Sequence, residues 1–541
     1  MSTNLRVEVP PETITTAPLR LGPLGLAAVL ILFGISGVFR LLWLDRIPGL
    51  NGDEGWYGSQ ITRALNGRPW SAITPCGLPI NPELFGTEAI LLLLTKPTVL
   101  VLRFPAVMWG MVGVVLTYFL HRWVYRDRAE AVLTALLAAC LPAQIVYARI
   151  LWDASFSCVS LPLVLYSTLR ITERDRATGT WACFVLGAIL TIWTHATHAL
   201  FVAACLVVIA WGWIGPWCAW SVATSPRRRA TVVVGLSTLL VCLVWRWDFF
   251  IRFVSFGDSW LVERCEIGWL AITSVIDLVT GLRAYEYFVG LPRPSWTGEL
   301  YAASLLAGGT ALVSLVRSER KADRVLAVLV PLIFLMLLAP FVSRLLRYGE
   351  LSYERYVFYF VPLTIAAFIR TTRRCVLLGR PWSHAVPAAL SVACSGLLLA
   401  QFWQYYLDAS QKDAFWERLD ATTQNTYRTG PIEPKAAAVD AILNAVGSAR
   451  ARVYGEDWSM WGPIEYLTGG RFDVTSGPIE FESGVPLFVV GYSGSRYIAT
   501  VQAESRRRQW RMTEQLFRDA HGRAVVSLLV LEDSSEGLVV E

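Results

Sequence analysis

Long apolar segments alternate with short polar ones through most of the chain. A helix rises 1.5 Å per residue, so ~20 apolar residues cross the ~30 Å hydrocarbon core of a bilayer. The pattern predicts eleven spans, at residues 24–44, 103–124, 130–148, 154–171, 180–194, 196–216, 230–247, 299–316, 324–342, 354–370 and 385–407. The first is too long for the apolar part of a signal peptide and shows no cleavage pattern. The predicted fold class is therefore a polytopic, all-α membrane protein.

Composition and charge agree with a membrane protein. Of the 541 residues, 54% are hydrophobic and 17% are charged, whereas soluble domains carry ~25% charged residues. Lysine and arginine concentrate in alternate loops, at residues 121–130, 170–179, 225–229, 317–324 and 370–380. Such loops stay in the cytoplasm, which explains the net charge of +6 without a nucleic-acid partner. The same rule places the opposite loops outside the inner membrane.

Three segments fall outside the alternation. Residues 83–96 are apolar but too short to span, which predicts a re-entrant or interfacial helix on the outer face. The aromatic loop 248–298 is expected to lie on the outer membrane surface. In the tail, strand-like runs at 451–457, 486–492 and 524–532 and a helix-like run at 503–520 predict a small α/β domain. The predicted parts are a cytoplasmic tail (1–23), a membrane module (24–407) with outer loops 45–102 and 248–298, and an extracytoplasmic domain (408–541).

The ten cysteines contain no CxxC pattern, so they predict neither a zinc ribbon nor a redox motif. Only Cys76 and Cys265 fall in segments that the topology places outside. A disulfide between these two cysteines is predicted, because the outer compartment is the oxidising one.

The candidate chemistry begins at Asp53 and Glu54, directly after the first span. A carboxylate at the membrane surface can act as a general base or can bind a hard cation. The alternative is a pair of helix N-terminal charges, each worth ~0.3–1 kcal/mol.

Other polar residues are predicted to reach the same face, and each has a structural alternative. An arginine inside a span, such as Arg40, suggests function but can also snorkel to the headgroups. Arg149 and Asp153 could form an i,i+4 pair. His195 and His198 have the spacing of helix-borne metal ligands but could be interfacial hydrogen-bonding residues. Arginines suit the phosphate of a lipid, although those near residue 350 could simply anchor an aromatic belt: Arg344, Arg347 and Arg355.

Several motifs, taken in order, resemble one enzyme family. FRLLWLDRIPGL is followed by DEGWYGSQITRALNGRPW, then NPEL, then ARILWDAS, and late in the membrane region ERYVFYFVP. Over residues 24–370 the chain resembles the GT-C glycosyltransferases. The most similar branch contains the protein O-mannosyltransferases and the lipid A aminoarabinose transferase.

The resemblance implies an inverting transfer of a sugar from a polyprenyl-phosphate donor to a lipid, glycan or protein acceptor on the outer face. It implies that Asp53 is the catalytic acid–base residue of the first outer loop, that Glu54 matches its neighbour, and that Asp153 matches the acidic residue of the second. Arg355 and Tyr356 match a motif near the donor phosphate.

One position departs from the family pattern. Relatives carry a lysine before the proline of the first outer loop, where Asn81 precedes Pro82 here. Donor-phosphate binding is then expected to rest on arginines: Arg344, Arg347, Arg355, Arg40 and Arg149. A divalent metal is a further possibility, with Glu54, Asp153, His195 and His198 as candidate ligands.

Two other functions remain open at this point. A transporter or flippase of lipid-linked saccharides would explain the spans and arginines, but it predicts internal repeats and broken helices, which the sequence does not show. A non-catalytic envelope-assembly protein would work through its C-terminal domain.

The topology can be checked directly. A reporter fused after Glu541 should report an extracytoplasmic position, because five basic loops agree on the orientation. A fusion that is active only in the cytoplasm would refute the predicted topology.

Overall fold

The computed structural model describes residues 22–74, 79–173, 177–214, 262–337, 357–377, 385–412, 432–446, 451–482 and 485–533. Several predictions lie outside these residues. They are the span at 230–247, the disulfide that needs Cys76, and the proposed phosphate ligands Arg344, Arg347, Arg355 and Tyr356.

The membrane module is helical. Its first nine helices are α1 (Pro23–Leu41), α2 (Gly52–Leu65), α3 (Pro82–Leu94), α4 (Val99–Tyr125), α5 (Arg128–Cys140), α6 (Pro142–Tyr147), α7 (Ser157–Thr172), α8 (Thr178–Thr194) and α9 (Ala199–Ile214). The described residues continue with α10 (Val262–Thr280), α11 (Leu282–Val289), α12 (Thr297–Val316), α13 (Lys321–Leu337), α14 (Phe360–Leu377) and α15 (Ala385–Phe402).

In the part of the chain that the structure describes, five helical segments are long and apolar enough to cross a membrane: Pro23–Leu41, Val99–Tyr125, Asp153–Thr172, Thr297–Val316 and Ala385–Gln411. Each coincides with a predicted span, whereas the total of eleven is not confirmed. The short helix predicted at 83–96 is α3. The fifth and sixth predicted spans correspond to α8 and α9, which a 3-10 turn, Ala196–His198, connects.

One prediction about the membrane module needs correction, and the described part of the predicted loop 248–298 is largely helical. The span predicted at 130–148 is broken, because Leu141 is extended and Pro142 starts a new helix. A proline disfavours the helical conformation of the residue before it, because its ring clashes with that residue. The loop predicted at 248–298 contains two helices, α10 and α11. These pack on the module, where Asp277 of α10 accepts hydrogen bonds from Arg293 and Tyr301.

Helix α7 forms the centre of the module. Every residue from Ser157 to Thr172 is buried, and α4, α8, α9 and α13 pack around it. A helix that is buried all round needs neighbours on every side, so α7 organises the helices that surround it.

A buried charge cluster joins helix ends that were predicted to face the cytoplasm. Arg370 of α14 donates to Glu130 of α5 at 2.8 Å and to Asp323 of α13 at 2.8 Å. Arg373 lies 3.4 Å from Glu130. The basic loops thus contribute partners to a network as well as surface charge.

The C-terminal domain is a mixed α/β structure. Its helices are α16 (Ile432–Val446), α17 (Trp458–Leu467) and α18 (Arg496–Arg507), and its strands are β1 (Arg452–Gly455), β2 (Val474–Thr475), β3 (Leu487–Tyr492), β4 (Arg511–Arg518) and β5 (Ala524–Glu532). The strand order is β2-β1-β3-β5-β4. Strand β1 runs parallel to β2 and β3, while β5 is antiparallel to β3 and β4.

The helix predicted at 503–520 is wrong in its second half. Helix α18 ends at Arg507, and Gln509 takes a positive φ of 60°. The following residues form the edge strand β4, which pairs with β5 along its length. Pairing with a distant strand therefore overrides a helix-like local pattern.

A stripe of glycines lets α17 of the C-terminal domain pack directly on α2. Gly52, Gly55 and Gly58 lie three residues apart, which puts them on one face of the helix. A Cβ at Gly55 would lie 2.2 Å from the backbone nitrogen of Pro463, and one at Gly58 would lie 2.4 Å from the Tyr466 ring. The two helices therefore meet nearly backbone to backbone.

This contact predicts that Gly55→Ala destabilises the protein. The added methyl group must push α17 away, and overpacking of this kind costs ~1–3 kcal/mol. Gly86→Ala in α3 is the matched control, because nothing lies within 4 Å of the Cβ that it adds. Thermal unfolding in detergent should show a lower midpoint for Gly55→Ala than for Gly86→Ala. Equal midpoints would contradict the close packing.

Candidate active site

The end of the module that carries α2 is built around a buried ion pair. Arg103 of α4 donates to Glu54 of α2 through Nη2 at 2.9 Å and through Nε at 3.0 Å, and both side chains have 0% exposure. Glu54 also forms a capping box with Asn51 at the start of α2. The backbone N–H of Leu151 donates to Glu54 Oε1 at 3.0 Å. Glu54 therefore ties α2 to α4 and to the segment that precedes Asp153.

The remaining N–H groups of Arg103 hold the segment that leaves α1. They donate to the carbonyl oxygens of Leu44, Pro48 and Gly49 at 3.0, 2.9 and 3.1 Å. Both carboxylate oxygens of Glu54 thus already accept hydrogen bonds from the protein. This geometry favours a structural role for Glu54 over the metal-binding role considered from the sequence.

Arg40 and Arg149 also serve the protein interior. Both are fully buried. Arg149 donates to the carbonyl oxygens of Phe39 and Ile47 at 2.9 and 2.8 Å, and Arg40 donates to that of Ala139 at 3.1 Å. These contacts hold helix ends together, so the geometry gives no support to the prediction that the two arginines bind a donor phosphate.

Asp53 differs from the neighbouring Glu54 in its burial and in its contacts. It is half-buried, in the first turn of α2, and its Oδ1 accepts a hydrogen bond from the indole N–H of Trp458 at 3.2 Å. Successive helix residues point about 100° apart, so Glu54 faces the interior while Asp53 faces α17. The two carboxylates therefore face different parts of the structure.

Asp153 joins the site through α2. Tyr57, four residues after Asp53 and therefore on the same helix face, donates to Asp153 Oδ2 at 3.1 Å. Asp153 begins a 3-10 turn, Asp153–Phe156, that leads into α7. The structure thus connects both predicted acidic residues, Asp53 and Asp153, to one face of α2.

Glu83 is a third acidic residue near this site that the sequence analysis missed. Asn81 caps α3 and accepts a hydrogen bond from the Glu83 backbone at 2.8 Å. Both carboxyl oxygens of Glu83 are buried and have no hydrogen-bond partner among the described residues. Burial, and secondarily the charge of Asp153, raise the pKa of Glu83 to about 8. A glutamate in the first turn of a helix is usually a surface charge, so its sequence position gave no signal.

The two histidines are interior residues. His195 Nδ1 lies 2.6 Å from the Thr197 hydroxyl, and His198 Nδ1 lies 3.4 Å from the Ser157 hydroxyl. Among the described residues no three His, Cys, Asp or Glu side chains come together as metal ligands. A divalent metal at His195, His198, Glu54 and Asp153 therefore stays a prediction.

The C-terminal domain supplies further residues that local sequence patterns could not identify. Lys435 of α16 is buried, and its ammonium donates to the carbonyl oxygens of Leu50 and Ser459 at 3.1 and 2.9 Å. Burial lowers the pKa of Lys435 to about 8. At the other end of α2, Arg63 pairs with Glu465 of α17. The domain is thus bound along the whole length of α2.

Comparison with known proteins identifies the fold. The chain matches no protein-family model and no curated protein sequence. It resembles the crystal structure of ArnT from Cupriavidus metallidurans in the apo state, with a TM-score of 0.51 and 14% identity over 93% of this chain and 96% of that one. The same protein bound to undecaprenyl phosphate gives a TM-score of 0.48 and 13% identity over 93% and 97%. The apo comparison shows that the chain has the fold of ArnT, in agreement with the predicted helical membrane module that is followed by a small α/β domain.

Glu83 makes stability depend on pH in a predictable direction. Its pKa is about 8 in the folded protein, against a usual value of 4.5. Between these values the folded state keeps a proton that the unfolded state has lost, so stability falls as pH rises through this window. Glu83→Gln removes the effect.

Thermal unfolding at pH 5 and pH 8.5 tests this dependence. The midpoint of Glu83→Gln minus that of the wild type should increase by roughly 2 °C or more from the lower to the higher pH. Glu433→Gln, at an exposed position of α16, is the control and should show no such increase. If the difference in midpoint between Glu83→Gln and the wild type did not change with pH, the carboxyl group of Glu83 would be solvated in the folded protein.

Proposed function

We propose that this protein is an inverting glycosyltransferase. It moves a sugar from a polyprenyl-phosphate donor to a lipid, glycan or protein acceptor on the outer face of the inner membrane. The observation that carries the proposal is the placement of Asp53, half-buried at the start of α2 and linked through that helix to Asp153, in a chain with the fold of ArnT.

Asp53 is the general base in this proposal. An acceptor hydroxyl is a weak nucleophile until its proton is removed, and a positioned carboxylate contributes ~10²–10⁴-fold to the rate. One base is enough for a single displacement, which inverts the anomeric centre. A second carboxylate nucleophile, as retaining glycosidases use, is not required.

Asp153 and Tyr57 would orient the substrates beside this base. Their hydrogen bond of 3.1 Å is only partly buried, and a carboxylate at such a position can accept hydrogen bonds from sugar hydroxyls. The charge that develops on the leaving phosphate needs cationic groups. Arg344, Arg347 and Arg355, with Tyr356, remain our proposed ligands for it. The proposed reaction includes no metal ion, because the described part of the chain does not bring three His, Cys, Asp or Glu side chains together as metal ligands.

Radiolabelled sugar transfer tests the function. Membranes that contain the protein are given defined polyprenyl-phosphate sugars, and transfer into membrane acceptors is measured. Asp53→Asn keeps the shape of the side chain but cannot take the proton, so turnover should fall ~10²-fold or more while donor binding is retained. Asp45→Asn is the control, since Asp45 is exposed with only a 3.9 Å contact to Arg46.

The outcomes separate the competing functions. Equal turnover of Asp53→Asn and Asp45→Asn would remove Asp53 from the role of base. Movement of the lipid-linked saccharide across the membrane, without transfer of its sugar to any acceptor, would support a flippase instead.

A further inference from the structure

We propose that the C-terminal domain completes the active site, with Trp458 of α17 as a positioning residue that holds the carboxylate of Asp53. This inference rests on the proposed function, in which Asp53 is the base. It extends the site to a domain whose composition suggests a separate unit.

The Trp458 ring is fixed by its surroundings. It stacks on Trp56 with 6.2 Å between ring centroids and 18° between planes, and it meets Trp461 edge-on at 5.2 Å. It also lies against Gly52, where a Cβ would come within 1.7 Å of the indole. A ring held in this way points its N–H in one direction, and that N–H donates to Asp53 Oδ1.

The helix that carries Trp458 is itself anchored to the start of α2. Asp457 caps α17 by accepting hydrogen bonds from the backbone N–H and the hydroxyl of Ser459, at 2.9 and 2.7 Å. The Lys435 ammonium then bridges the carbonyl oxygens of Ser459 and Leu50. Lys435 therefore ties the first turn of α17 to the residue that precedes the N-cap of α2.

The far ends of the two helices are held as well. Arg63 pairs with the buried Glu465, and the side-chain amide of Asn66 donates to the carbonyl oxygen of Gly469 at 3.1 Å. Since both ends of α17 are tied to α2, the domain cannot shift along α2 without moving Trp458 relative to Asp53. A base must lie within hydrogen-bonding distance of the proton that it takes, and a displacement of 1 Å can cost ~10²-fold in rate.

The test compares Trp458→Phe with Trp510→Phe in the full-length protein. Phenylalanine keeps a ring in the stack but removes the N–H. For Trp458→Phe we expect kcat for sugar transfer to fall ~10-fold while the donor KM stays within about twofold. Trp510→Phe changes a tryptophan of the same domain whose ring packs edge-on against Phe481 at 5.1 Å, and its kcat should stay near that of the wild type. Trp458→His, which restores a ring N–H, should recover part of the lost kcat.

A double-mutant cycle separates positioning from general damage. If Trp458 acts through Asp53, adding Trp458→Phe to Asp53→Asn should not lower the residual rate further. A further ~10-fold loss in that background, or an unchanged kcat for Trp458→Phe alone, would overturn the inference. Normal turnover of Asp53→Asn would instead remove Asp53 from the role of base, and the role of Trp458 would fall with it; absence of sugar transfer by the wild type would overturn the proposed function itself.

Discussion

The ion pair between Glu54 and Arg103 fixes the end of the module that carries α2. Both groups are fully buried, and removing water from two charges is costly unless their hydrogen-bonding capacity is met. Here it is met by Asn51, by the Leu151 N–H and by three backbone carbonyl oxygens. Removing one partner of such a pair typically costs ~3–5 kcal/mol. Because these contacts position α2 and the segment before it, they also determine where Asp53 lies.

This arrangement explains why two adjacent carboxylates are present. Glu54 faces inward and holds three chain segments, whereas Asp53, about 100° further round the helix, faces the C-terminal domain. Neither group could perform both tasks, since the side chain that anchors the helix is inaccessible to a substrate. If the first turn of α2 were mobile, Asp53 would not keep a fixed position. The buried ion pair of Glu54 and Arg103 is therefore required for the proposed catalysis but takes no part in the reaction itself.

Sequence patterns predicted the features that depend on local periodicity and failed where a distant partner decides. Hydropathy located five of the helices that can span a membrane, and the loop charges grouped Asp53 with Asp153, which the structure connects through Tyr57. The hydropathy pattern identifies Arg103 only as the first residue of a predicted span, because its partner Glu54 lies 49 positions earlier in the chain. Arg40 and Arg149 suggested ligands, since buried charge is rare in spans, yet each donates hydrogen bonds to backbone carbonyl oxygens of the protein. The sequence of Arg511–Arg518 has a helix-like pattern, but these residues form a strand that pairs with β5.

The C-terminal domain illustrates how composition can misplace a functional boundary. The polar stretch after residue 407 suggests a separate unit, but the contact that matters lies between α17 and α2, some 400 residues apart in sequence. Glycines on α2 remove the side chains that would keep the helices apart, and Lys435 and Arg63 supply charged contacts at the two ends. A close backbone approach gains dispersion contacts but tolerates little displacement. The close packing of α17 on α2 therefore holds Trp458 in a fixed position beside the candidate base Asp53. Removing the C-terminal domain would change the candidate active site.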